Sequence, residues 1–181
     1  MDRGLAVTRY VALLGSINVG GNRLKMDELK AALESEGFAN VATVVASGNV
    51  LFDHAKAADA VLEARIAGIV KERFGIDTFA AVRNRDELAA AIDSNPFTGQ
   101  NEDKFVHTLF LQEPLDRAAF EAFAKEYEGP ERLVAGTREV FVDFGEGVAD
   151  SKLGQALKKL RLRTTARNVR SLRRMLDKMD A

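Results

Sequence analysis

Lys152, Arg167 and Asn168 are the residues whose types best suit one kind of chemistry, the neutralisation and orientation of an anion. Ser151-Lys152 and Arg167-Asn168 each stand where the sequence pattern opens a helix. A helix start offers free N–H groups and the positive end of a dipole. Arginine adds a planar fork that fits carboxylate or phosphate. The competing reading is structural: Arg167 pairs with an acid such as Asp143 or Asp150, and Asn168 merely caps.

A second candidate is the loop Gly15-Ser-Ile-Asn18-Val-Gly20-Gly21-Asn22 after the first expected strand. Gly15 and Gly20 have the spacing of a phosphate loop, yet Gly21 and Asn22 stand where the phosphate-reaching Lys and the magnesium-binding Ser or Thr belong. A P-loop NTPase is therefore excluded. What survives is a loop whose N–H groups could cup an anion, with Lys25 nearby; alternatively the glycines and asparagines only satisfy positive-φ turns. The turn Ser47-Gly48-Asn49 completes the set of candidate ligand-binding residues: Asn18 and Asn49 would orient the ligand, and Lys152 and Arg167 would neutralise it. Ser47 acts as a nucleophile only with a base beside it, and no G-x-S-x-G elbow supports one.

Other chemistries fare worse. The chain has no Cys, which removes disulfides, thiolate catalysis and sulfur-ligated zinc. His54 falls in a loop and His107 inside a strand, neither at metal-ligand spacing, so no metal and no cofactor is expected. Gly145-Glu146-Gly147 imitates a dinucleotide loop, but Asp150 holds the third glycine position and Glu146 would repel a pyrophosphate. Phe141-Val-Asp-Phe144 copies the tail of an RNA-recognition strand, with Glu139 and Asp143 making an acidic setting beside Phe141, so sequence-specific nucleic-acid binding is disfavoured.

Net charge is −1 over 181 residues, but it is uneven. After Ser151 ten cations face two acids, leaving a tail of +8 and a body of −9. Such polarity marks either an anion-binding end or a basic tail lying on an acidic body. The first residues lack the apolar run of a signal peptide, and no stretch reaches the roughly 20 apolar residues of a membrane span. The expectation is a cytoplasmic protein with no membrane contact; its oligomeric state is not encoded in any motif.

These residues need elements to position them. Nearly continuous apolar residues predict a strand at Thr8–Leu14, buried on both faces. A helix at Met26–Glu36, a hairpin of Val41–Val45 and Val50–Phe52, a helix at Ala57–Phe74 and a strand at Thr78–Val82 follow. In the second half the pattern gives a helix at Asp86–Ile92, a strand at Phe105–Leu111, a helix at Asp116–Tyr127 and a hairpin of Arg132–Ala135 with Val140–Phe144. A helix at Ser151–Leu160, a short strand around Arg163–Thr165, and a last helix seamed by Val169, Leu172, Leu176 and Met179 complete it. The expectation is an α+β fold of two tandem ferredoxin-like units, each a βαββαβ plait with an antiparallel sheet, spanning residues 1–84 and 85–181. The halves share element order without an obvious residue-level repeat.

Several segments resemble a bacterial family of unknown function, DUF1697. They are Tyr10-Val-Ala-Leu-Leu-Gly-Ser-Ile-Asn-Val-Gly-Gly-Asn22, Met26 with Leu29, Thr43, Ser47-Gly-Asn-Val50, Phe52, Asn95-Pro-Phe97, Ser151-Lys-Leu153 and Thr164-Thr-Ala-Arg-Asn168. Gly15-Ser16 departs from the Arg-Gly of many members, so an anion-contacting role for that Arg has no counterpart here. The resemblance implies the tandem ferredoxin-like fold and no known reaction. The functional expectation is the binding of a small anionic, phosphate-bearing ligand; an enzyme acting on such a ligand, or a non-catalytic assembly scaffold, is the alternative.

Overall fold

The computed structural model describes residues 7–15, 17, 23–44, 48–55 and 59–181. They form an α+β protein with two four-stranded antiparallel sheets. The chain divides into two compact units: one of the residues up to Leu88 together with Arg174–Ala181, the other Ala89–Arg173.

In the first unit, β1 (Thr8–Leu14), α1 (Met26–Ser35), β2 (Ala39–Thr43), β3 (Asn49–His54), α2 (Ala60–Phe74) and β4 (Ala80–Asn84) follow in order. The sheet order is β2-β3-β1-β4, with Ala12 of β1 opposite both Val50 and Val82. This order is consistent with a split β-α-β plait. Tyr10, Ala12, Leu14, Val50, Phe52 and Val82 pack against Leu29 and Leu33 of α1 and Leu62, Ile66 and Val70 of α2. Val11, Leu13, Leu51 and Ala81, which alternate with them, are buried too, as the unbroken apolar run of β1 predicts. Asp59 starts α2 by accepting from the Leu62 amide at 2.9 Å, and Gly75, left-handed at φ 68°, ends it. Arg73, near its end, pairs with Glu36 at 2.9 Å on the surface.

The second unit holds β5 (Val106–Leu111), α4 (Arg117–Glu126), β6 (Arg132–Ala135), β7 (Glu139–Asp143), α5 (Leu153–Leu157) and β8 (Thr164–Asn168). Its sheet order, β6-β7-β5-β8, repeats that of the first. Leu109, Leu111, Val140 and Val142 meet Phe120 of α4 and Leu153 and Leu157 of α5. Helix α3 (Arg85–Asp93) follows β4, and α6 (Val169–Asp180) follows β8. The division between units falls after Leu88 within α3 and after Arg173 within α6. Arg85 and Asp180, 95 residues apart, meet in the first unit as a two-point ion pair, Nε–Oδ1 2.6 Å and Nη2–Oδ2 3.0 Å.

Three local expectations change. α5 is five residues long and passes into a single 3-10 turn, Lys158–Leu160, that Arg161 ends in the left-handed conformation at φ 56°. The fourth strands lie later than the pattern suggests, because the polar pairs Arg83-Asn84 and Arg167-Asn168 still belong to them. In α6 the fully buried residues are Val169, Leu172 and Met175, whereas Leu176 and Met179 are half-buried.

Candidate functional site

Arg167 and Asn168 close β8, an edge strand held to β5 by the pairing of Thr108 with Arg167 and Leu109 with Ala166. Asn168 keeps strand geometry, and its Oδ1 accepts from the Ser171 amide at 2.8 Å. It therefore caps α6, which opens one residue later, at Val169. The Arg167 guanidinium folds back on its own strand, donating from Nη1 to Thr165 Oγ1 at 2.6 Å and to the Ala166 carbonyl at 2.9 Å. Burial lowers its pKa to about 10, so it stays a cation at neutral pH while partly withdrawn from water.

The first unit builds the same junction. Ala81-Val82-Arg83-Asn84 ends β4 as Thr165-Ala166-Arg167-Asn168 ends β8. Arg83 Nη1 donates to the Val82 carbonyl at 3.0 Å. Asn84 Oδ1 accepts from the Glu87 amide at 2.8 Å, and Glu87 Oε1 accepts from the Asn84 amide at 3.0 Å, a reciprocal cap for α3. The halves thus do repeat at residue level, in one arginine–asparagine step per unit. The signal was present in the letters but carried by only two residues.

One partner differs. Glu63 of α2 reaches the outer edge of β4, where its Oε2 accepts from the Val82 amide at 2.7 Å and lies 3.5 Å from Arg83 Nη1. Arg83 is 1 % exposed, so this carboxylate balances a guanidinium removed from water. The corresponding helix of the second unit, α5, reads Leu-Gly-Gln-Ala-Leu and brings no carboxylate to β8. Sequence reasoning missed Glu63 and Arg83, because nothing in the spacing ties a helical acid to a strand arginine.

The other expected residues are dispersed. Lys152 is exposed at the start of α5 and makes no side-chain cap. Its neighbour Ser151 caps instead, accepting from the Leu153 amide at 3.2 Å and donating to Glu131 Oε1. Tyr127 donates to the other oxygen of Glu131 at 2.5 Å. Burial works against the Glu131 charge, and the hydroxyls of Ser151 and Tyr127 outweigh it, holding the carboxyl below its ordinary range. Burial, reinforced by Glu131, pushes the Tyr127 hydroxyl up to about 12. Asp143, one proposed partner for Arg167, accepts from Arg132 at 2.6 Å, Asn101 at 2.9 Å and the Gly145 amide at 2.9 Å.

In the first unit, Gly48 sits at φ 86° with its amide on Met26 Sδ at 3.5 Å, and Asn49 begins β3, buried. Asn18, Gly20, Gly21, Asn22 and Ser47 lie outside the described residues. His54 packs its ring on Phe38, and His107 sets its ring edge-on to Phe144, 4.7 Å between centroids. Among the described residues no group of three His, Cys, Asp or Glu side chains is placed to hold a metal ion. Nor is any helix of those residues long and apolar enough to cross a membrane.

A family model described as "Protein of unknown function (DUF1697)" matches residues 7–141. No curated protein matches the chain. Among solved structures, a conserved bacterial protein from Streptococcus pneumoniae is similar, at 23% sequence identity and a TM-score of 0.76. The alignment covers 97% of this chain and 100% of that one, and at this identity it shows the fold alone.

Proposed function

From the premise that this chain belongs to the DUF1697 family, we propose that it binds a small anionic, phosphate-bearing ligand through the end of β8. The observation that carries the reading is Arg167. Its guanidinium donates to Thr165 Oγ1 and to the Ala166 carbonyl, and burial drops its pKa to about 10 without discharging it at neutral pH. A cation kept in a poorly hydrated place attracts an anion more strongly than a solvated one does. Lys152, exposed in the same unit, adds long-range attraction.

We read both units as ferredoxin-like plaits, on the common strand order of their sheets. A bacterial cytoplasm suits the bacterial structural relative and a chain free of cysteine.

The test is a thermal-shift series with inorganic phosphate, sulfate, nucleotides and sugar phosphates, on the native chain and on Arg167→Ala. A ligand at about 100 times its dissociation constant adds about 2.7 kcal/mol, a shift of several degrees at this chain length. The reading expects a shift that Arg167→Ala abolishes. A shift of equal size in the variant, or none with any anion, overturns it.

A further inference from the structure

The end of α4 and the turn that follows α5 border a cavity of about 310 Å³, lined by Phe123, Glu126, Tyr127, Glu128, Ala156 and Lys159. All six belong to the Ala89–Arg173 unit. Ligand pockets run from about 300 to 1,000 Å³, so this one suits a small molecule. Its wall is aromatic. Phe123 and Tyr127, one helical turn apart, stack with centroids 5.5 Å apart and planes 26° from parallel. Tyr127 is held at its far end, because its hydroxyl donates to Glu131 at 2.5 Å and Glu131 also accepts from Ser151. Gly129 lies so close to that hydroxyl that a Cβ there would collide with it. The ring is thus fixed before any ligand arrives, which spares binding the cost of ordering it.

Three charges surround this wall. Glu126, Glu128 and Lys159 are exposed, and none of them makes an ion pair or a side-chain hydrogen bond among the described residues. The two carboxylates stand in the last turn of α4 and just past its cap, Tyr127, where open carbonyls already make the potential negative. Such a place favours a cation. The unmet charge of the cavity is two negatives and one positive, and its complement is a molecule with two cations and one carboxylate. A free basic amino acid has that pattern, and a guanidinium also stacks on the face of a tyrosine or phenylalanine ring. We propose that this cavity binds a free basic amino acid, arginine above all. Its ammonium and guanidinium meet Glu126 and Glu128, its carboxylate meets Lys159, and its guanidinium lies across the stacked rings. The site is separate from the anion reading at the end of β8 and stands or falls without it.

The test titrates the full chain with L-arginine, agmatine, citrulline and glutamate and follows backbone amides by nuclear magnetic resonance. Agmatine lacks the carboxylate, citrulline lacks the side-chain charge, and glutamate carries the opposite balance of charge. Arginine should move the amides of residues 123–128 and 156–159 saturably. Agmatine and citrulline should bind about tenfold more weakly, and glutamate should not bind. Glu128→Gln should weaken both arginine and agmatine about tenfold, whereas Lys159→Gln should weaken arginine by a similar factor without weakening agmatine. Loss of fold would not give that split. Both positions are exposed, and unchanged amide signals away from the cavity certify the fold of each variant. No arginine-dependent movement at these amides overturns the site. Arginine binding that either variant leaves intact, or glutamate binding as tight as arginine's, overturns it as well.

Discussion

Glu63 and Arg83 form an ion pair at the rim of a sheet, with the Val82 peptide between them donating its N–H to one and its carbonyl accepting from the other. The pair is buried, and its members come from a helix and from an edge strand. An edge strand with open backbone groups invites pairing with another chain. Here two side chains satisfy the outward N–H and carbonyl of Val82.

Removing the acid strands the guanidinium. Glu63→Ala should cost about 3–5 kcal/mol, because a buried charge left without its carboxylate is far more costly than an absent pair. Urea unfolding of the variant measures this. Glu63→Gln, which still accepts from the Val82 amide, should lose less. Equal losses in both would mean that the charge, rather than the hydrogen bond, is what matters.

Asn84 and Asn168 should behave as matched caps. Replacing either by Ala should cost about 1 kcal/mol, measured by denaturant unfolding. Fraying should appear as faster amide exchange at Glu87 in the first variant and at Ser171 in the second. A variant that exchanges like the native chain at these amides would show that the cap adds nothing.

Tyr127 gives the second unit an alkaline limit. Its folded pKa, about 12, lies above the ordinary 10, so the fold favours the protonated hydroxyl. The stability this contributes is intact below pH about 10 and is lost as pH rises toward about 12. Tyr127→Phe keeps the ring stacked on Phe123 and should cost about 1 kcal/mol at neutral pH. Its unfolding free energy should then fall less steeply than the native chain's across that alkaline window. Parallel curves would contradict the assignment.

His107 acts at the acid end. Burial lowers its pKa, opposed in part by a hydrogen bond to the Phe105 backbone, and its Nδ1 has no hydrogen-bond partner among the described residues. The fold therefore favours the neutral ring. Stability is whole above the unfolded value of about 6.5, and it falls as pH drops below that value toward the depressed folded one. His107→Leu should flatten this part of the stability curve. An unchanged acid limb would assign it to the carboxylates.

How much of this is legible without coordinates depends on the length of the pattern. Thr8–Leu14 reads directly, because a long apolar run buried on both faces leaves few alternatives, and Asp59 and Asp116 mark helix starts by their own chemistry. The start of α6 is displaced in the sequence reading because Arg167 is a good helix residue. Its strand geometry comes from pairing with Thr108, a long-range contact. The shortness of α5 was hidden for a related reason. Leu153, Leu157 and Leu160 keep helical spacing, while the turn that ends the helix rests on the left-handed backbone of Arg161. The Glu63–Arg83 pair joins a helix face to a strand edge, and no periodicity encodes that.

The two-point contact of Arg85 with Asp180 has a consequence for synthesis on the ribosome. The unit that is translated first includes Arg174–Ala181, so this piece of it is made after the whole of the other unit. The unit translated second is one uninterrupted stretch and has all its residues sooner. Completion thus runs against the usual order, in which the N-terminal domain finishes first. Deletion of Arg174–Ala181, or a message stalled before it, will be felt by the unit that is translated first.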